Sequence, residues 1–162
     1  MATTVVGTFT NFAEAMTTLG DFVHAGIPKE QLNLMTPDAD EAFAKHLATA
    51  GEQRIAKDTG IGAVIGGLSG FVVGGLVALT IPGVGPVMAA GPLLGTMLGA
   101  ETGSLAGALH RLGIGEHAAK SHAEKVGEGR TLVIVKAEES QVARVRTTLQ
   151  QHQAVSIEQH EA

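Results

Sequence analysis

The chain has 162 residues, 11 basic against 16 acidic side chains for a formal net charge of −5, and no cysteine. That length suits one domain, or one domain carrying an insertion, and leaves no room for a second of full size. The charge balance excludes the basic stripe that neutralises nucleic-acid phosphates, and the absence of thiols excludes disulfide, thiolate-metal and thiol-redox chemistry.

The opening Met1-Ala2-Thr3-Thr4-Val5-Val6-Gly7 has neither a basic nor an apolar signal region, so cytoplasmic termini are expected. Val5 to Phe9 is β-branched and aromatic, the composition of a strand. Asn11 with Glu14 three residues on forms a capping-box-like start, and Phe12, Met16, Leu19 and Val23 make one apolar stripe, so a helix is predicted to about Ala25 with Gly26 as its cap. Leu32 to Met35 reads as a strand, completing a βαβ unit over residues 1–36. Residues 130–162 repeat the plan: a strand at Thr131 to Val135, a helix from Ser140 to His152 with Val142, Val145 and Leu149 on one side, and a last strand at Val155 to Ile157. Two such units predict an α+β fold, a ferredoxin-like βαβ–βαβ sandwich of four strands backed by two helices.

Residues 37–129 then stand where that fold has a short loop. Asp38 to Ala50 and Glu116 to Val126 read as short polar-faced helices at either end of this insertion. Between them, the 42 residues from Thr59 to Ala100 hold no charged side chain but 12 of the 22 glycines and 3 of the 5 prolines. Gly62, Gly66, Gly70 and Gly74 recur every fourth residue, as do Gly91, Gly95, Gly99, Gly103 and Gly107. On helices such positions form ridges that let two backbones approach closely. An inserted, apolar glycine-zipper α-helical hairpin is therefore expected over residues 59–112, turning at Pro82, Gly83, Gly85 and Pro86. Removing Thr59 to Leu112 is expected to leave the sandwich folded.

The chain resembles the bacterial general-stress or heat-induced stress proteins of the YflT-like type. The resemblance rests on Val5-Val6-Gly7-Thr8-Phe9 with Ala13-Glu14-Ala15, on Ala25-Gly26-Ile27-Pro28, on Ile81-Pro82-Gly83-Val84-Gly85-Pro86-Val87 with Ala90-Gly91-Pro92-Leu93, and on Leu112-Gly113-Ile114. It implies a stress-associated protein with a glycine-rich hairpin, and it brings no catalytic residues with it.

Two fates of the hairpin stay open. Gly60 to Ile81 would give about 33 Å of uncharged helix, enough to cross a hydrocarbon core of about 30 Å. Val87 to Ala100 gives only about 21 Å before Glu101, which falls opposite the Gly99–Gly103 ridge and would cost about 2.5–3.5 kcal/mol facing lipid. One expectation is thus a non-enzymatic stress-associated protein that enters a membrane through its hairpin and self-associates, with Glu101 facing an assembly contact or lumen. The other is a self-assembling structural protein whose hairpins form the buried core of a homo-oligomer, shell or filament. Expected partners are a second copy and membrane lipid, with no nucleic acid, small-molecule ligand, cofactor or metal.

Enzymatic chemistry finds no foothold. Gly60-Ile61-Gly62 and Gly83-Val84-Gly85 lack the third glycine of a dinucleotide loop and the Lys-Ser or Lys-Thr of a P-loop. Among seven histidines, His117 and His122 lie five apart, about 140° around a helix, and do not converge on one ion. Surface histidines are expected. Asp38, Asp40 and Glu41 read as the acidic start of a helix.

Overall fold

A computed structural model describes residues 2–10, 12–37, 77–81, 85–93 and 104–161. The described elements in chain order are β1 (Ala2–Phe9), α1 (Phe12–His24), β2 (Leu32–Pro37), β3 (Val77–Ile81), β4 (Gly85–Ala90), α2 (Leu105–Arg111), α3 (Glu116–Gly127), β5 (Thr131–Glu138), α4 (Glu139–Gln151) and β6 (Ser156–Glu161). The fold is mixed α+β. Six strands form one sheet in the order β3-β4-β2-β5-β1-β6, with every neighbouring pair antiparallel.

Both βαβ units form where the sequence places them. β1 and β5 lie side by side at the centre, Val5 opposite Val135, and β2 and β6 flank them. Alternation along the strands sorts their side chains onto two faces. On one face Val5, Phe9, Leu34, Val133 and Val135 pack against Ala15, Leu19 and Phe22 of α1 and Val145 and Leu149 of α4. Phe12, Met16 and Val23 of the expected stripe border this core, so the buried side of α1 is turned toward Ala15 and Phe22. Gly7 lets α4 sit close to β1, because a Cβ there would lie 2.5 Å from Leu149 Cδ2.

The second face departs from a two-layer sandwich. Val6, Met35, Val87, Ala89, Leu132 and Ile134 face a second helical layer, in which Leu105, Ala108 and Leu109 of α2 and Ala119 and Val126 of α3 are buried. Thr4 ties this layer to the sheet by donating to the Leu112 carbonyl at 2.5 Å. Residues between the βαβ units thus supply strands, helices and core, and the helix at Glu116, expected to lead out of a separate hairpin, is instead a packed element. Cutting out Thr59 to Leu112 would strip α2, β3 and β4 from this face, and with them Val87, Ala89, Leu93, Leu105, Ala108 and Leu109 of the core.

The expected helices also differ within the uncharged span. The chain does reverse after Ile81, but as a β-hairpin: Val77 pairs with Ala89, Leu79 with Val87 and Ile81 with Gly85. Gly85 and Pro86 open β4 and are not turn residues. Short runs rich in Val, Leu, Ile and Thr satisfy their backbone groups by joining an existing sheet, which outweighs the helical expectation at Val77–Ile81 and Gly85–Ala90. β4 pairs with β2, Leu34 opposite Ala90, and so extends the sheet beyond the first βαβ unit. Gly91 then turns the chain with φ +89°, against the backbone of Leu32 and Asn33. The buried Asn33 amide fastens that turn, accepting from Leu93 N at 2.6 Å and donating to the Ile134 carbonyl.

Among the described residues, the four helices longer than one turn end in paired capping bonds around a residue of positive φ, at Gly26, Gly113, Gly129 and Gln153. Only Gln153, at φ 60°, carries a side chain in that region. Gln153→Gly is therefore expected to stabilise the protein by about 0.5–1 kcal/mol. Gly91→Ala, which adds both a left-handed strain and a clash with the Leu32 carbonyl, should cost roughly 2–4 kcal/mol. Urea denaturation of the two variants checks both signs, and equal midpoints would refute the account.

Candidate functional site

The polar residues that come together do so across the sequence, between α3 and β6. α3 lays Ala119, His122 and Val126 toward the sheet at helical spacing, and β6 pairs with β1 so that Glu158 lies opposite Val6 and His160 opposite Thr4, on the face that α3 covers. His122 Nε2 stands 3.4 Å from Glu158 Oε2, and His160 Nε2 stands 3.8 Å from the same oxygen. Lys125, one turn along from His122, donates to Glu158 Oε1 at 2.8 Å. The two imidazoles meet edge to face with centroids 5.7 Å apart.

Burial grades across the cluster. His122 is wholly enclosed, the side chain of His160 is 15% exposed and that of Glu158 is 37% exposed. Neither ring nitrogen of His122 has a hydrogen-bond partner, nor has Nε2 of His160. Burial pushes the His122 imidazole down to about 4, a shift that Glu158 opposes and that Lys125 and His160 reinforce. At neutral pH the ring is uncharged, so its contact with Glu158 is no ion pair. For Glu158 burial raises the carboxyl, but the hydrogen bond from Lys125 and the charges of His122, Lys125 and His160 outweigh it and leave it below its ordinary value.

The surface histidines expected from sequence are thus corrected at His122. Helical spacing could pair it only with His117, whereas its real neighbours lie 36 and 38 positions on. The one available signal was the alternation of Ser156 to Glu161, which places Glu158 and His160 on one side of a strand.

The residues expected to pack helices fare differently. Gly91 is a turn glycine of positive φ, and Gly107 lies in the first turn of α2, where its N–H bonds the Ser104 cap. Gly62, Gly66, Gly70, Gly74, Gly95, Gly99, Gly103, Pro82, Gly83 and Glu101 lie outside the described residues. So does the helix expected from Asp38 to Ala50.

The sheet's two edges contrast chemically. β6 ends in Ser-Ile-Glu-Gln-His-Glu, with two carboxylates along it. β3, Val-Ala-Leu-Thr-Ile, carries no charge and no proline, and among the described residues it pairs only with β4.

Residues 62–160 match the family described as "Protein of unknown function (DUF1269)", a stretch that runs from the glycine-rich segment through β6 and includes the whole histidine cluster. No curated protein and no solved structure matches the chain.

The state of His122 has a consequence for pH. Unfolded, the imidazole takes up its proton near 6.5, and folded it does so only at about 4. Between those values the unfolded chain binds more protons, so the stability from keeping His122 neutral is complete above about pH 6.5 and is lost as pH falls toward 4. Glu158, also lowered, adds a loss in the same direction in the carboxylate range. His122→Leu should flatten the upper part of the stability–pH curve in urea titrations, and an unchanged slope would show that His122 does not govern it.

Proposed function

The chain belongs to the DUF1269 family, and we propose that it is a non-enzymatic protein that works by self-association, its uncharged central segment forming the contact between copies. The observation that carries this reading is the outer edge of β3, which among the described residues has no partner strand. A sheet edge presents unpaired N–H and C=O groups, and proteins that stay monomeric blunt such edges with lysine, proline, bulges or a covering element. β6 has carboxylates to do so and β3 has nothing of the kind in its sequence. Two β3 strands meeting antiparallel across a two-fold axis would join two six-stranded sheets into one, an isologous contact in which each copy satisfies the other. In sequence the adjoining residues back to Thr59 and on to Ala100 are equally free of charge, so they bring no like-charge repulsion to such a contact.

The order β2-β5-β1-β6, with β1–α1–β2 and β5–α4–β6 as its units, supports the ferredoxin-like reading of the head, with β3 and β4 added beyond β2. The membrane-inserted, stress-associated form of the proposal rests on the uncharged stretch and on the resemblance to stress proteins. Among the described residues no helix is long and apolar enough to cross a membrane. With Val77–Ile81 in a strand, Gly60 to Leu76 would give at most about 25 Å of helix against the roughly 30 Å required, which favours contact between copies over a spanning hairpin.

Sedimentation velocity and light scattering of the full chain test the proposal. The wild type is expected as a dimer or larger, and Ala78→Lys combined with Thr80→Lys is expected to dissociate it while leaving the circular dichroism spectrum intact. A monomeric wild type, or a double variant of unchanged size, would sink it. Recovery of the wild type in washed membranes with no self-association would favour the lipid-anchored form instead.

A further inference from the structure

We infer that His122, Glu158 and His160 form a binding site for one divalent transition-metal ion, with zinc as the closest match. One ligand atom from each residue lies within 4.8 Å of the other two. Two ligands bonded to zinc at about 2.0–2.1 Å and at a tetrahedral angle sit about 3.3 Å apart. The observed 3.4 Å and 3.8 Å from the histidine Nε2 atoms to Glu158 Oε2 are close to that separation, so small side-chain rotations bring the set onto one ion.

Proximity of histidines and a carboxylate does not by itself make a metal site. The second observation is the orphaned state of the rings. His122 is completely buried with neither nitrogen hydrogen-bonded, and His160 Nε2 is also buried without a partner. Buried polar atoms without partners are rare because desolvating them is costly. An ion coordinated by both Nε2 atoms and by Glu158 gives two of these three nitrogens a partner, and Nδ1 of His122 remains without one. A simple ion-pair network leaves all three unmet, since Lys125 donates only to Glu158 Oε1. That same bond holds the carboxylate by its other oxygen and leaves Oε2 to face the rings, as residues supporting a metal ligand commonly do.

The donor set selects the ion. Two imidazoles and one carboxylate suit zinc and its first-row neighbours, whereas calcium and magnesium take oxygen ligands. Three protein ligands leave a fourth position for water, reached from the exposed side of Glu158. Coordination would also pin β6 to α3, linking an edge strand to the second helical layer. All three ligands come from one chain, so binding does not require self-association.

Full-length protein without a polyhistidine tag, stripped with a chelator and titrated with zinc chloride at neutral pH by calorimetry, tests the site. One ion per chain is expected, with a raised thermal midpoint. His160→Gln and Glu158→Gln, at partly exposed positions, should each lower affinity at least about tenfold while keeping the wild-type circular dichroism spectrum. His122→Gln should do the same, and should it fail to fold the other two variants decide. Folded wild type that takes up no zinc overturns the inference, as does binding undiminished in both variants, which would assign the ion to other histidines.

Discussion

The architecture depends on strands that are apolar on both sides. Leu132, Val133, Ile134 and Val135 follow one another along β5 and are all fully buried, as are Val5 and Val6 on β1. Successive residues of a strand point to opposite faces, so each face of this sheet needs its own cover. Crossover connections of one hand place α1 and α4 on the same side. The other side must be covered by residues from between the two βαβ units. α2, α3, Leu93 and the inward residues of β4 meet that need, each large aliphatic side chain contributing about 1.5–3 kcal/mol when buried. An insertion that looked dispensable therefore supplies 10 of the 27 buried hydrophobic residues among those described.

This requirement was legible in part. The βαβ boundaries could be read from strand composition, capping residues and the Gly26 turn, because those signals are local. The run Leu132-Val133-Ile134-Val135 also announced a doubly covered strand, since one-sided strands alternate with polar residues. The four-residue glycine spacing is compatible with helices but does not demand them, and Val77–Ile81 and Gly85–Ala90 between the two glycine runs form strands. Val77 to Ile81 and Val87 to Ala90 became strands because β2 offered a free neighbouring edge, and no local pattern reports that. The cluster of His122, Glu158 and His160 was hidden for a similar reason. Its members are joined by the packing of α3 across β6, a tertiary relation with no period in the sequence.

The polar cluster occupies the border between the second helical layer and the last strand of the sheet. β6 is only half buried, with Val155 exposed beside its start, so the core thins there. Apolar packing gives way to charged and imidazole groups, with Lys125 bridging from α3. At the opposite border the sheet ends in an uncharged strand. The two ends of one sheet thus differ, with desolvated polar atoms at β6 and, among the described residues, a strand paired on one side only at β3.

The place of β1 also sets a clock for folding. Both neighbours of this strand, β5 and β6, begin more than 120 residues after it ends. During synthesis at about 5–20 residues per second, Ala2–Phe9 would wait roughly 6–25 s before its nearest partner exists. Pairing then requires closing a long loop, and topologies dominated by such contacts fold slowly. Val5, Val6 and Phe9 thus gain their strand neighbours only when the residues from Thr131 onward are made.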